Sequence, residues 1–262
     1  MKFAAIDAGN TSVAACLWED GAVSHVSHTD GGTAAAEAEA ARLVECAGNP
    51  DGIAYVSVTP AADAAWERFA AARGLRFVRI TAALAVETGL LRLDYAEPAT
   101  IGADRIADAV GAMAKYRPPL IIMDFGTALT AAAITGDGVW RGGVIAPGLP
   151  MMLDYMHERT AQLPAIGMPA AGEVRLPGRS TVEAMRAGAI YGSLGMVKEI
   201  ASRLAEQTGI ADFTRIATGG YARRVLSAEP GCAGFAIDET LTLFGAGLVA
   251  DAAVKRTKEQ NP

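Results

Sequence analysis

A short phrase that occurs twice constrains the fold of this chain more than any other feature. The apolar run 2–6 ends in Asp-Ala-Gly-Asn-Thr at residues 7–11, and the apolar run 120–123 ends in Asp-Phe-Gly-Thr-Ala at residues 124–128. An Asp-Gly dipeptide follows each phrase, and the leading Asp and the turn Asp are 13 residues apart in both copies (20 − 7 and 137 − 124). The repeat predicts two related half-domains, each beginning with strand, glycine turn, strand, Asp-Gly hairpin and strand.

Segments with strand and helix character alternate along the rest of the chain, which favours the α/β class. The second phrase places the boundary between the halves at about residue 117, so we expect lobes at 1–117 and 118–262 with mixed sheets and an interdomain cleft. Two acidic glycine turns facing such a cleft are suited to holding the phosphates of a nucleotide. Further strands are predicted at 53–58, 75–80 and 216–217, and helices at 33–46, 61–73, 101–115, 151–162, 181–207 and 241–258.

The composition excludes several classes of protein. The 262 residues carry a net charge of −6, which argues against binding nucleic acid through a broad basic face. A small anionic ligand stays possible, because backbone N–H groups bind phosphate without net positive charge. No apolar run is long enough to span a membrane, and Asp7 and Asn10 interrupt the first run, so we expect neither a membrane segment nor a signal peptide.

Cysteine usage indicates a reducing compartment. Cys16, Cys46 and Cys232 are isolated in sequence and odd in number, so we expect small buried apolar side chains rather than a disulfide framework. A cytoplasmic location follows as the default expectation.

The first glycine phrase has two readings. Gly9 permits a tight backbone turn, the N–H groups of its neighbours and the Thr11 hydroxyl can face a phosphate, and Asp7 can hold a cation or its waters. The alternative is an ordinary hairpin turn with Asp and Asn as turn formers. The matched second copy favours the interpretation as a phosphate site.

The second phrase is read in the same way, with Thr127 as a phosphate contact and Asp124 as a cation ligand. The alternative is again a simple turn. Asp124 ends an apolar strand, and a buried carboxylate without a partner is unfavourable, so we expect a cation or a hydrogen-bond donor beside it.

The segment Gly102-Ala103-Asp104-Arg105 starts a predicted helix. An anion there would meet free N–H groups, Arg105 can grip a carboxylate with two hydrogen bonds, and Asp104 can act as a general base toward a hydroxyl. Spacing alone favours a simpler interpretation, in which Asp104 is only an acidic residue of the first helical turn and Arg105 makes a surface ion pair.

Two further glycine motifs lie in the last third of the chain. Gly219 and Gly220 follow a short strand and either let an adenine or ribose approach the backbone or form a simple turn. The segment 245–250 nearly matches the dinucleotide fingerprint G-x-G-x-x-A, but it lacks a following βαβ unit, so helix packing explains it better.

Taken in order, these motifs resemble the type III pantothenate kinases, members of the superfamily of actin-like ATPases, sugar kinases and Hsp70. The resemblance covers essentially the whole chain and implies duplicated actin-like (ribonuclease H-like) domains. The motifs that carry it lie at residues 7–11, 57–60, 95–98, 102–105, 124–128, 142–148, 180–181, 218–220 and 241–243.

The resemblance implies ATP-dependent phosphorylation of pantothenate to 4′-phosphopantothenate, the first step of coenzyme A synthesis, with Mg²⁺ and a potassium or ammonium ion. It also implies a homodimer and no nucleic-acid or membrane partner. Asp104 matches the proton acceptor and Asp124 the ligand of the monovalent cation. The remaining matches are ATP-binding positions at Asp7, Ala8, Gly9, Asn10, Thr11, Ser12, Val13, Ala14, Thr127, Gly219 and Gly220, and pantothenate-binding positions at Tyr95, Gly102, Ala103, Asp104, Arg105 and Thr181.

Two positions depart from the family pattern. Glu97 and Ser180 stand where many relatives have Asn, and Glu97 places a negative charge near the expected anionic substrate. Glu97 therefore keeps open the alternative of a kinase for another small hydroxyl acceptor. A non-catalytic relative that binds nucleotide and acts through partners is a separate alternative.

Overall fold

The computed structural model describes residues 1–29, 32–48, 50–170 and 174–260, without the side chains of residues 32, 33 and 232. The chain forms two compact units, Met1–Lys115 with Thr240–Pro262, and Tyr116–Glu239. The change of unit after Lys115 lies within two residues of the expected boundary. The C-terminal residues from Thr240, expected in the second lobe, group with the first unit.

Among the described residues, the first unit contains six strands, five α-helices and a 3₁₀ helix at Pro98–Thr100. Its strands are β1 (Lys2–Ala8), β2 (Val13–Glu19), β3 (Ala22–Thr29), β4 (Gly52–Ser57), β5 (Arg76–Arg79) and β6 (Arg92–Leu93). Its helices are α1 (Gly32–Ala47), α2 (Pro60–Ala72), α3 (Ala82–Glu87), α4 (Ala103–Lys115) and, from the end of the chain, α8 (Leu241–Gln260).

The described part of the second unit contains five strands, three α-helices and a 3₁₀ helix at Pro230–Gly234. Its strands are β7 (Leu120–Phe125), β8 (Ala128–Ile134), β9 (Val139–Pro147), β10 (Thr214–Thr218) and β11 (Phe235–Ile237). Its helices are α5 (Leu149–Glu158), α6 (Thr181–Thr208) and α7 (Ala222–Leu226).

The two units share one sheet topology. In the first unit the strand order is β3-β2-β1-β4-β5, with β1, β2 and β3 antiparallel and β1, β4 and β5 parallel. The five strands of the second unit follow the equivalent order β9-β8-β7-β10-β11 with the same directions. The repeated phrase therefore marks a duplicated α/β fold with mixed sheets, as predicted.

The Asp-Gly dipeptides form the expected hairpin turns. Asp20 and Gly21 have φ values of 45° and 86°, the signature of the two-residue turn that matches strand twist. In the second copy Gly138 has a φ of 77°, and its N–H donates to the carbonyl oxygen of Thr135 over 2.7 Å. Both predicted hairpins are confirmed.

Helices cover the first sheet on both faces, which explains the unbroken apolar run of β1. On one face Ile6 and Tyr55 pack with Trp66 and Phe69 of α2. On the other, α8 packs against β1 and β2, and a Cβ added to Gly247 would overlap the ring of Trp18.

Helix α8 belongs to the first unit because it crosses α4 at very short range. A Cβ on Gly111 would lie 2.7 Å from the carbonyl oxygen of Leu241, and one on Gly245 would overlap the carbonyl oxygen of Ala107. The glycines of segment 245–250 thus serve helix packing, which confirms that interpretation over a dinucleotide fingerprint.

The cysteine prediction holds in part. Cys16 is buried on β2, and burial raises the pKa of its thiol to about 12. Cys46 is exposed on α1, so the expectation of a buried side chain is wrong there, and the side chain of Cys232 lies outside the described part of the structure. In the part of the chain that the structure describes, no helix has the length and apolar character needed to cross a bilayer.

Candidate active site

The predicted site residues fall into two groups, one in each unit. The first unit holds the hairpin of residues 7–14, Tyr95 and the start of α4, and the second holds Asp124, Thr127, Thr181, Gly219 and Gly220. The glycine turns of each group lie at the carboxyl ends of the parallel strands of their unit, where ligands bind in α/β folds.

Residues 7–14 form a single tight hairpin between β1 and β2. Asp7 pairs with Ala14 and Ala8 with Val13, and the Gly9 N–H donates to the carbonyl oxygen of Ser12 over 3.1 Å. This hydrogen bond closes the turn. Asn10, Thr11 and Ser12 are exposed at its tip, which leaves them accessible to a ligand.

The end of β4 braces this hairpin. Val58 N–H and the Thr59 hydroxyl both donate to the carbonyl oxygen of Ala8, over 3.3 and 3.2 Å. The motif at residues 57–60, which had no role assigned from the sequence, therefore fixes the end of β1. Helix α2 begins at Pro60, the last residue of this motif and one suited to the first helical turn.

The start of α4 lies against the same strand end. A Cβ on Gly102 would be 3.6 Å from Cγ1 of Val58, and the N–H of Val58 donates to the end of β1, so Val58 lies between the hairpin and Gly102. The structure thus brings the hairpin of residues 7–14 and the segment of residues 102–105 together around β4.

Asp104 occupies a partly enclosed position in the first turn of α4. Its Oδ1 accepts the N–H of Arg105 over 2.7 Å, and a Cβ on Gly102 would overlap that oxygen. Gly102 therefore makes room for the carboxylate. Burial raises the pKa of Asp104 above the ordinary aspartate range, against the opposing effects of the Arg105 N–H and guanidinium.

Arg105 is only 7% exposed. The interpretation of a surface ion pair is therefore wrong for this residue. A guanidinium so enclosed is desolvated, and hydrogen bonds to a carboxylate are strengthened in such surroundings. Tyr95, by contrast, is 39% exposed and lies in the segment that leads through the 3₁₀ helix into α4.

In the second unit, the Gly219 turn lies directly over Asp124. Strand β10 runs parallel to β7 with Thr218 opposite Asp124, and Tyr221 N–H donates to the carbonyl oxygen of Phe125 over 3.1 Å. Gly219 has a φ of 86°, and a Cβ there would overlap Oδ1 of Asp124. The structure therefore brings Asp124 and Gly219 together.

Thr127 lies in the turn between β7 and β8. Its carbonyl oxygen accepts the N–H of Gly148 over 3.1 Å, and a Cβ on Gly148 would overlap the carbonyl oxygens of Gly126 and Thr127. The glycine motif at 142–148 thus secures the second glycine turn, a role that the sequence did not reveal.

Thr181 is the exposed first residue of α6. Ser180 caps this helix by accepting the Glu183 N–H over 3.2 Å, and Glu183 Oε2 accepts the Arg179 N–H over 2.7 Å. This arrangement resembles a capping box, so Ser180 has a structural reason to stand there.

A cavity of about 440 Å³ lies elsewhere in the first unit, between α1 and α2. Its lining includes Glu37, Arg68 and Arg73 and contains none of the predicted site residues. Among residues 1–29, 32–48, 50–170 and 174–260 there is no cluster of three or more His, Cys, Asp or Glu side chains that could hold a metal ion.

A family model decides the relationship of the chain to known proteins. The model for type III pantothenate kinases matches residues 3–203. The chain belongs to the type III pantothenate kinase family. A member from Methylacidiphilum infernorum is 40% identical over 171 residues, covering 65% of this chain and 62% of that protein. One from Akkermansia muciniphila is 50% identical over 130 residues, covering 50% of this chain and 52% of that protein.

These matches cover between about half and three-fifths of the length of the curated family members, 52% and 62% in the two cases. Solved structures of lower identity share the fold. A ROK family glucokinase from Streptomyces griseus matches with a TM-score of 0.51 at 14% identity, over 97% of this chain and 100% of that one. MreB 5 of Spiroplasma citri matches with a TM-score of 0.52 at 13% identity, over 100% of this chain and 99% of that one. The fold is that of the actin-like ATPases and sugar kinases.

Proposed function

We propose that this protein phosphorylates pantothenate to 4′-phosphopantothenate with ATP, in the first step of coenzyme A synthesis. The observation that carries the proposal is the position of Asp104, a partly enclosed carboxyl group next to the buried Arg105 in the first turn of α4. Pantothenate presents a primary hydroxyl and a carboxylate, which are the groups that a general base and an arginine recognise.

Asp104 is the proposed proton acceptor. The hydroxyl oxygen of pantothenate attacks the γ-phosphorus of ATP, the bond from that phosphorus to the bridging oxygen of ADP breaks, and the hydroxyl proton passes to Asp104. The raised pKa of Asp104 makes its carboxylate a better base than that of an ordinary aspartate.

Arg105 and its neighbours are the proposed acceptor site. Arg105 grips the carboxylate of pantothenate, and Gly102 and Ala103 are the proposed backbone contacts before and at the start of α4. Tyr95 and Thr181 complete the contacts that the family pattern assigns to pantothenate.

The proposed ATP contacts are the hairpin of residues 7–14, Thr127, Gly219 and Gly220. In support, Asn10, Thr11 and Ser12 are exposed at the tip of the closed turn. Magnesium is commonly held by one or two carboxylates together with phosphate oxygens and water. Mg²⁺ would neutralise the phosphate charge, and Asp7 is the carboxylate proposed to orient its waters.

Asp124 is the proposed ligand of a potassium or ammonium ion. Its carboxylate lies beside the Gly126 and Gly219 turns, where carbonyl oxygens can complete an all-oxygen set of ligands. We further propose a homodimer that acts in the cytoplasm, where ATP is available.

A coupled assay of ADP release tests the proposal. Turnover should require pantothenate together with ATP and Mg²⁺, and it should be faster in potassium or ammonium chloride than in sodium chloride at equal ionic strength. No ADP release with pantothenate in saturating potassium would overturn the proposal. Turnover with a different hydroxy acid would favour the alternative acceptor that Glu97 raises, and ATP binding without any turnover would favour a non-catalytic relative.

A further inference from the structure

Helix α8 makes a buried polar contact with α4 at a residue that lies three positions after Arg105 of the candidate acceptor site. Thr242, in the first turn of α8, donates its hydroxyl to Oδ1 of Asp108 over 2.6 Å, across 134 residues of sequence. Asp108 is 3% exposed. A carboxylate enclosed to this degree needs strong hydrogen bonds or a positive charge, because it has lost nearly all contact with water.

Helices α4 and α8 are so close at this crossing that the Thr242–Asp108 hydrogen bond cannot shift. The Gly111 and Gly245 positions have no room for a side chain, since Leu241 and Ala107 backbone atoms fill the space that a Cβ would take. The Thr242 hydroxyl is therefore held at a fixed point relative to the middle of α4.

Asp108 lies three residues after Arg105 on α4. Residues at this spacing are neighbours on one helical face, and opposite charges at this spacing attract. Both side chains are buried, at 3% and 7% exposure, so their charges are weakly screened by solvent. Asp108 is thus a second acidic residue of α4 near Arg105, in addition to the neighbouring Asp104.

We propose that Thr242 and Asp108 are positioning residues that orient Arg105 for the acceptor. Thr242 occupies one oxygen of Asp108 and fixes its rotamer, and Asp108 then holds the guanidinium in the direction needed to meet the substrate carboxylate. This inference rests on the proposed function, because it assigns the substrate group that Arg105 recognises. It gives the motif at residues 241–243 a role in substrate affinity.

Kinetics of three variants test the proposal. Thr242→Val removes the hydroxyl at nearly constant volume, and we expect kcat/KM for pantothenate to fall about tenfold, mainly through KM, while KM for ATP changes less than about twofold. Thr242→Ser keeps the hydroxyl and should restore wild-type values. Thr257→Val is the matched control, since Thr257 lies on the same helix and its hydroxyl donates within α8, to the carbonyl oxygen of Ala253.

Hydrogen exchange of peptides that cover residues 101–108 gives a second readout that does not depend on turnover. Thr242→Val should exchange faster there than wild type and Thr257→Val, in the absence of substrate. If the wild-type protein does not act on pantothenate but this difference is found, the proposed function fails, and with it the role in pantothenate binding, while the effect of Thr242 on the order of residues 101–108 stands. If the wild-type protein turns over pantothenate and Thr242→Val only lowers the melting temperature, with unchanged KM and exchange, the positioning role is wrong.

If Thr242→Val does not fold, the kinetic test is carried out on Asp108→Asn instead. Its amide oxygen can accept the same hydrogen bond from Thr242, but it offers Arg105 no charge. We expect KM for pantothenate to rise at least about fivefold, and an unchanged KM would overturn the role of Asp108.

Discussion

The carboxylate of Asp124 occupies the space that a side chain on Gly219 would take. A Cβ at this position would overlap Oδ1 of Asp124 and approach the backbone nitrogen and carbonyl carbon of Phe125 to 2.7 Å. Backbone atoms cannot move aside in a paired strand as the end of a long side chain can. The carboxylate and the glycine turn are therefore fixed to each other, so a change at either one disturbs both.

Gly219→Ala should destabilise the protein and weaken its response to potassium. We expect a loss of roughly 2–4 kcal/mol in the free energy of unfolding, from the strain at a φ of 86° and the overlap with Asp124. Gly209→Ala is the control, because Gly209 also has a positive φ, 70°, but no atom lies within 4 Å of the place that an alanine Cβ would take, so only about 1 kcal/mol is expected. Urea unfolding measures the free energy of unfolding of both variants, and an equal loss in the two would contradict the steric argument.

Asp104→Asn should abolish turnover and leave ATP binding close to normal. Removal of a general base lowers kcat by about 10²- to 10⁴-fold, whereas the hairpin of residues 7–14 is untouched by the change. Calorimetric titration with ATP and the ADP assay measure the two effects. A variant that keeps most of its rate would show that Asp104 does not accept the proton.

The same substitution should make the protein more stable at neutral pH. Burial raises the pKa of Asp104, so the folded state binds the proton more tightly than the unfolded chain does. The stability that this residue contributes is present below about pH 4 and is lost as the pH rises through the folded-state pKa. Asn carries no charge, so Asp104→Asn should exceed wild type in free energy of unfolding at about pH 7 but not at about pH 3.5.

Denaturant unfolding at the two pH values checks this sign. An equal difference between wild type and variant at both pH values would mean that the carboxylate is well solvated in the folded state. Loss of the hydrogen bond from the Arg105 N–H does not confuse the comparison, because the amide oxygen of Asn can accept it at either pH.

Gly245→Ala should destabilise the first unit by about 1–3 kcal/mol or more, since the new methyl group would overlap the carbonyl oxygen of Ala107 on α4. Gly195→Ala is the matched change in the interior of another helix, with no atom within 4 Å of the added carbon. It should stabilise α6 by roughly 0.5–1 kcal/mol, because alanine is the better helix former. Thermal unfolding measures both variants, and we expect the melting temperature to fall in Gly245→Ala and to rise in Gly195→Ala.

Local sequence patterns are enough to predict most of the fold. The repeated phrase and its two Asp-Gly turns indicate both hairpins, because turn geometry at Gly21 and Gly138 depends on nearby backbone sterics. The long helices α6 and α8 lie within two residues of their predicted ends. Short elements such as α3, α7 and β11 escape prediction, since so few residues carry too little periodicity to detect.

The candidate site is only partly visible in the sequence. Asp104 and Asp124 are conspicuous because an acidic residue in a glycine segment or after an apolar strand is unusual. Spacing predicts a surface position for Arg105, and nothing local to α4 could show that it is 7% exposed. Thr242 lies 134 residues from Asp108, so no sequence window could join them.

The sequence by itself therefore determined the duplicated topology, its turns and the family that the chain resembles, because these depend on short-range patterns repeated along the chain. Tertiary packing decided which groups are desolvated and which are neighbours. It placed α8 in the first unit through the glycines at 111 and 245, brought Gly219 over Asp124 and joined Thr242 to Asp108. Burial and close approach depend on distant parts of the chain, and they set the pKa of Asp104 and the surroundings of Arg105.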